Sequence, residues 1–341
     1  MFGSAKENIE PIASAALTEL SPDRVTFVAI GPDAEGQRLD NFLFKKAKGV
    51  PKGHVYRVIR AGEVRVSKKR AKAETKLALG DVVRIPPMRT APAAQKGTAP
   101  AAPIAEGQLP VLFEDQHLIV VLKPAGMASH GGSGIAHGLI ERLRATRPAE
   151  TMLELCHRLD KETSGAIIIA KTRKALVRMH DLMKNGGVEK HYRALMKGDW
   201  PNDRQHVKAP LTRYLLPSGE RRVKVDPVEG MSAHSIFTNL GRFGAATLVD
   251  VELKTGRTHQ IRVHAAHLGH PLVGDDKYGD FDFNKEAVKG VLGTPFRRMF
   301  LHAFRLRLQH PVTGEALDIE APLPDECVRL LAALEPQRKK K

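Results

Sequence analysis

The chain reads as an α+β protein whose main domain rests on a mostly antiparallel sheet, preceded by a small, basic module of two helices and a short β-element. Three observations predict this. From Leu109 onward, apolar strands come in runs punctuated by helices, without the steady alternation that builds a parallel α/β sheet. Between residues 36 and 89, two short segments carry apolar residues at helical spacing before strand-like alternation takes over. Between these regions lies an Ala/Pro-rich stretch, 90–107, with no apolar period. At 341 residues the chain is long enough for two domains.

The elements follow in order. An N-terminal extension over 1–35 is expected to be loosely ordered through its first ~25 residues, which carry no clear pattern. In the basic module, 36–89, Leu39, Phe42 and Leu43 share one helical face. Val55, Val58 and Ile59 repeat that face over Lys52–Arg60, and Gly62 sits where a C-cap belongs. Val64–Ser67 and Val82–Ile85 alternate as half-exposed strands. Thr90–Gly107 holds one Lys, one Glu and prolines at 92, 100 and 103, which suits an extended tether that cannot bury enough surface to fold. In the main domain, 108–335, strands are expected at Val111–Phe113, Leu118–Leu122, Ala166–Ala170, Tyr192–Met196 and Thr247–Leu253. Helices are expected at Gly138–Thr146, Arg173–Lys184 and Thr258–Leu268, the last two stopped by Asn185-Gly186 and by Gly269 with Pro271 beyond. Residues 336–341 form a basic tail, and Glu335–Lys341 is expected to be loosely ordered.

Charge narrows the function classes. The net charge is +16 and the pI near 9.9, which calls for a polyanionic partner. Residues 36–89 hold 15 Lys+Arg against 4 Asp+Glu, so this short module carries +11 of the total. No apolar run approaches the roughly 18–20 residues of a spanning helix, and no hydrophobic leader opens the chain. That disfavours a membrane partner and leaves nucleic acid. Two cysteines, Cys156 and Cys327, make neither a disulfide framework nor a zinc cluster, as suits a reducing cytoplasm.

The densest signal is chemical. Residues 157–165 read His-Arg-Leu-Asp-Lys-Glu-Thr-Ser-Gly, which sets Asp160 in a short polar loop just ahead of the buried run Ile167-Ile168-Ile169. Residues 255–264 read Thr-Gly-Arg-Thr-His-Gln-Ile-Arg-Val-His, and Lys190-His191-Tyr192-Arg193 precedes a strand. Leu122-Lys123-Pro124-Ala125-Gly126-Met127, followed by Ser129-His130-Gly131-Gly132, adds a fourth segment. Together these closely resemble the RluA-type pseudouridine synthases. The basic module, with Arg38-Leu39-Asp40-Asn41-Phe42-Leu43, resembles the S4 RNA-binding domain. The two resemblances span roughly residues 36–89 and 109–325.

The resemblance implies an S4-like domain ahead of a pseudouridine synthase fold, and it assigns residues. Asp160 is the essential catalytic carboxylate, Tyr192 lies against the uracil ring, and Arg262 pairs with Asp160. A carboxylate in a pocket tends to take up a proton, and a guanidinium beside it keeps it ionised. A helix starting near Thr258 would put Arg262 four residues on, on the same face. Arg158 is the occupant of the space vacated by a flipped base, and His157, Ile261, Arg257 and His259 complete the substrate-binding set. Arg57, Arg60, Arg65, Lys68, Lys69 and Arg70 line the phosphate-facing side of the S4-like module. An S4 domain suits a ribosomal RNA modifier, and the resemblance is strongest to the branch acting on several uridines of 23S rRNA. The implied partner is 23S ribosomal RNA, free or within a pre-ribosomal particle, handled by a monomer in the cytoplasm. Isomerisation gains and loses no atom, so no cofactor and no metal is expected. Neither a nucleotide loop nor a zinc motif is present, since His259, His264 and His267 lack the required spacing. The competing class is an RNA-binding assembly factor or chaperone in which the same residues are only a platform.

Overall fold

A computed structural model describes residues 20–47, 49–88, 109–131 and 137–337. The expected tether 90–107, residues 1–19 of the extension and the last four residues lie outside the described residues. The chain divides into two compact units, Met1–Ala99 and Pro100–Lys341.

The first unit contains β1 (Thr26–Ala29), α1 (Leu39–Lys46), α2 (Lys52–Ala61), β2 (Arg65–Val66), β3 (Lys69–Arg70) and β4 (Val82–Ile85). Its sheet runs β1-β4-β2-β3, all antiparallel. The two helical faces read from sequence meet it, with Leu39, Leu43, Val55, Val58 and Ile59 packed on Val83 and Ile85. Each such buried aliphatic side chain contributes about 1.5–3 kcal/mol. Gly62 ends α2 in the left-handed conformation. The sequence reading opened this module at residue 36. The sheet gains a strand upstream of that, since β1 pairs Thr26 with Ile85 and Ala29 with Val82, and Val28 and Ile30 join the core. Only four residues long, β1 carries too short a pattern to be read alone.

The second unit contains β5 (Val111–Glu114), β6 (Leu118–Lys123), α3 (Leu139–Thr146), β7 (Glu154–Leu155), β8 (Ser164–Ala170), α4 (Arg173–Lys184), β9 (Val188–Lys197), β10 (Arg204–Val207), β11 (Leu211–Leu215) and β12 (Arg221–Val225). There follow β13 (Ser235–Arg242), β14 (Ala246–Leu253), α5 (Gln260–His267), α6 (Phe281–Lys289), β15 (Leu301–Gln309), β16 (Ala316–Glu320) and α7 (Asp325–Leu334). The main sheet is ordered β10-β13-β14-β9-β15-β8-β6-β5, with β7 added to β8 and β16 to β15. All its pairings are antiparallel except β15 with β8. The α+β, mostly antiparallel expectation therefore holds.

Both faces of this sheet are covered. Ile167 and Ile169 pack with Tyr192, Val249, Val251 and the α5 residues Ile261 and Ala265. Ile168 and Ala170 pack with Leu176 and Met179 of α4 on the opposite face. A strand covered on both sides reads as an unbroken apolar run, as β8 does. Two boundaries differ from the sequence reading. The described residues close on a 3₁₀ turn, Glu335–Gln337, and α5 starts at Gln260 rather than Thr258. The weak apolar period of α5 has a cause: Gln260 to Ala265 are all buried, so the helix runs through the interior.

The glycine that closes the nonapeptide belongs to the fold. Gly165 pairs with Ala303 across the parallel β8–β15 contact, at φ +120°. A Cβ there would lie 2.3 Å from the Ala303 oxygen and 2.5 Å from its nitrogen. Gly165→Ala is expected to cost about 2–5 kcal/mol, combining backbone strain with overpacking. Thermal unfolding checks this, and a melting point within a degree of wild type would refute the close approach.

Candidate active site

Asp160 stands on the loop between β7 and β8, and the turn after β6 straps that loop down. Ser129 donates its hydroxyl to the Leu159 carbonyl at 2.7 Å and accepts the Leu159 N–H at 3.0 Å. Gly126 donates its N–H to the Lys161 carbonyl at 2.9 Å. The Lys123 side chain, fully buried, donates to the carbonyls of Met127 at 2.7 Å, Pro124 at 2.9 Å and Lys161 at 3.1 Å. Burial pushes its ammonium down to about 7, opposed by the charges of Glu162 and Asp160. Three donated bonds use all three protons of the charged form, so the strap favours an ammonium.

The Asp160 side chain is 28% exposed and, among the described residues, makes no hydrogen bond. Among the described residues, the basic groups within 4 Å of it are the Arg262 guanidinium at 3.8 Å and His259 Nε2 at 3.9 Å, both approaching Oδ2. Both belong to the start of α5. Gln260, buried, fixes that start: its amide oxygen accepts from Thr255 Oγ1 at 2.8 Å and the Arg257 N–H at 3.0 Å, while its nitrogen donates to the His234 carbonyl and to Ser235. Thr258 lies in the turn before the helix and does not share a helical face with Arg262.

Arg262 is 3% exposed, and its strong partner is not Asp160. Asp275, 1% exposed, takes the fork side-on, from Nε at 2.7 Å and Nη2 at 2.5 Å, and Asp276 accepts a further bond from Nη2 at 3.0 Å. The guanidinium also lies over the Tyr278 ring at 5.2 Å. Held in this way, Arg262 faces Asp160 with its remaining nitrogen only. The expected pairing thus exists as a longer approach, and the close pairing belongs to Asp275.

Tyr192 is buried in the middle of β9, in one apolar cluster with Leu159, Ile261 and Ala303. Burial first, and then the Asp160 charge, raise its pKa, so the ring is present as a neutral phenol. Ile261 lies in the same cluster, buried between His259 and Arg262 in the chain. Arg158 is exposed beside the loop, its guanidinium 3.2 Å from His130 Nε2. Arg257 is exposed at the rim and donates to the Ser232 carbonyl. His157 turns one ring nitrogen to the backbone of β8. Its Nε2 accepts the Ile168 N–H at 3.1 Å, and burial lowers its pKa to about 4. It is a neutral brace on β8. His264 is likewise spent internally, on Ser235 and the Ala209 carbonyl.

Four residues of this neighbourhood escaped the sequence reading as site residues: Lys123, Gln260, Asp275 and Tyr278. The signal for the last two was present, as two adjacent acids and a tyrosine bracketed by Gly274 and Gly279, soon after Arg262.

On the first unit, Arg57, Arg60, Arg65, Lys68, Lys69 and Arg70 are all exposed. Arg60 and Arg70 donate to backbone carbonyls, of Tyr56 and Arg60, so their charges are not cancelled by acids there. Ser67 and Lys68 both take positive φ in the β2–β3 turn, which lifts Lys68 to the hairpin tip.

Comparison with known proteins shows the family. Residues 117–267 match the family model described as RNA pseudouridylate synthase, and residues 37–83 match the S4 domain. The chain is 47% identical over 314 residues to the ribosomal large subunit pseudouridine synthase C of Escherichia coli K12, covering 91% of this chain and 97% of that one. The Yersinia pestis protein of the same name is 48% identical over 311 residues, covering 91% and 96%. Among solved structures, human RNA pseudouridylate synthase domain containing 1 superposes with a TM-score of 0.51 at 26% identity, over 68% of this chain and 97% of that one. A carboxylate left without hydrogen bonds between a tethered arginine and a buried tyrosine, on a chain that matches these relatives almost end to end, places this protein in the RNA pseudouridylate synthase family, with an S4 domain ahead of its catalytic domain.

Proposed function

We propose that the protein isomerises specific uridines of 23S ribosomal RNA to pseudouridine, with Asp160 as the residue on which the chemistry depends. One observation carries this reading: Asp160 lies within 4 Å of Arg262 and His259, and its charge reaches the buried Tyr192, yet none of them consumes its oxygens in a hydrogen bond. The reaction breaks the N1–C1′ bond of a flipped uridine, turns the uracil and joins C5 to C1′. The C5 proton is lost to solvent and N1 gains one, so atoms balance without a co-reactant. Arg262 keeps an anionic Asp160 favourable, and Tyr192 serves as a neutral wall and hydroxyl against the base. Arg158 is free to fill the gap in the helix. The names of the relatives support the large ribosomal subunit as the source of the RNA, and the reading extends to a monomer acting in the cytoplasm on free rRNA or a pre-ribosomal particle.

The test is tritium release from 5-³H-uridine-labelled RNA by the purified protein with nothing added. Release from 23S rRNA and not from 16S rRNA or tRNA supports the reading. No release from 23S rRNA, free or in a pre-ribosomal particle, sinks it.

The S4 unit supplies the non-specific part of RNA affinity. Charge-removing substitution of Arg57, Arg60, Lys68 and Lys69 to Gln is expected to flatten the dependence of log K on log salt by about 3, at roughly 0.7–0.9 per phosphate contact. An unchanged slope would show that this face does not meet the backbone.

A further inference from the structure

His259 is built with more care than a substrate-contacting side chain at a loop end requires. It is the residue just ahead of α5 and holds φ +54°, a left-handed conformation uncommon for residues other than glycine. Such a conformation costs about 1–3 kcal/mol and persists where the surroundings over-determine it. The Gln260 bonds and the buried α5 do so here. The ring is fixed as well: Nδ1 is 2.8 Å from the Tyr278 hydroxyl, and the two rings meet edge to face at 5.5 Å.

The Tyr278 hydroxyl has one proton and already accepts the Val223 N–H at 2.9 Å. Among the described residues, His259 Nδ1 is the acceptor within reach of its proton. A hydroxyl that donates to Nδ1 leaves Nδ1 bare, so the ring proton of the neutral imidazole sits on Nε2. Nε2 is the atom that faces Asp160 Oδ2 at 3.9 Å.

We propose that His259 is a positioning residue for Asp160: Tyr278 locks its ring in the Nε2–H tautomer, and that N–H, 3.9 Å from Oδ2 in the free protein, closes on it with Arg262 when substrate binds and leaves Oδ1 to the reaction. The inference rests on the pseudouridine synthase reading for its catalytic consequence, while the tautomer is a property of the folded chain alone. The charge environment is mixed. Burial lowers the pKa of the ring, Asp160 and Asp275 raise it, and Arg262 and Lys277 lower it, with a net lowering that keeps the imidazole neutral at physiological pH. A neutral donor restrains the carboxylate without pairing it as an ion, which preserves its reactivity.

Two measurements on the full chain test this. In ¹⁵N-histidine-labelled protein, the resonances lost in His259→Gln identify the ring. Expected is a protonated Nε2 and a bare Nδ1 in wild type, with mixed tautomers in Tyr278→Phe. A protonated Nδ1 in wild type would overturn the proposal whatever the activity. In tritium release, His259→Asn is expected to lower kcat about 10²–10³-fold with little change in KM, the scale for losing one preorganised donor. His259→Gln, whose amide nitrogen can reach the Nε2 position, should recover most of that loss. Equal loss in both, at equal melting temperature, would reject the donor role. Failure of the wild type to release tritium would instead strike the functional reading and leave the tautomer result standing.

Discussion

Asp160→Asn is expected to abolish tritium release, by at least about 10³-fold, while leaving the fold and RNA binding intact. The structure makes this sharper than a generic active-site knockout. The carboxylate accepts no hydrogen bond among the described residues, so an isosteric amide removes charge and reactivity without orphaning a partner. The loop stays strapped by Ser129, Gly126 and Lys123, none of which touches the side chain. Arg262 keeps Asp275 and Asp276. Melting should therefore stay within about 0.5 kcal/mol of wild type, as for a substitution that breaks no packing or network. In cells lacking the wild-type protein, the same variant separates catalysis from a chaperone role, which would survive it. Residual release above one-thousandth of wild type would mean that Asp160 assists rather than carries the reaction.

The site was legible where chemistry is concentrated in short strings. Asp160, Tyr192 and Arg262 were all found from contiguous motifs, and the structure brings them together. What failed to read was the support. Asp275 holds Arg262 from a turn thirteen residues on, and nothing local in either string states that they meet. His157 shares the motif with Asp160, yet nothing in the string states that its ring turns to the backbone of β8. Tyr192 was placed at the start of a strand and lies in its middle, because the polar residues Glu189 to His191 that precede it hide four further residues of β9. The same holds for the fold. The apolar run of β8 and the two helical faces of the S4 unit announce themselves. Strand β15, whose register shifts at Ala303/Arg305, breaks its own alternation and was missed, although it sits beside both β8 and β9.

Asp275→Asn is expected to be the most destabilising single-atom change in the catalytic unit, and its cause differs from that of Asp160→Asn. Arg262 and Asp275 are both removed from water, and neither could be charged there alone. Breaking such a pair typically costs about 3–5 kcal/mol, because it strands the other charge. Asp276 is largely exposed and is a weak substitute. For a domain of this size the loss corresponds to a fall in melting temperature of roughly 10 °C. Activity should fall with it, since the guanidinium loses the fork that aims its last nitrogen at Asp160. Acid makes the assignment specific. Burial alone would raise the Asp275 pKa, but the Arg262 hydrogen bonds and charge, with the Lys277 and Tyr278 N–H groups, bring it below the ordinary 3.8. A carboxylate depressed in the fold binds its proton more readily when unfolded, so its stabilisation is complete above the unfolded value and drains away as pH falls through the folded one. Wild type should thus lose stability steeply below about pH 3.8, and Asp275→Asn should show a shallower acid limb from a lower plateau. An acid limb of unchanged steepness would mean that other carboxylates dominate, and a variant with wild-type melting would show that Arg262 is anchored elsewhere.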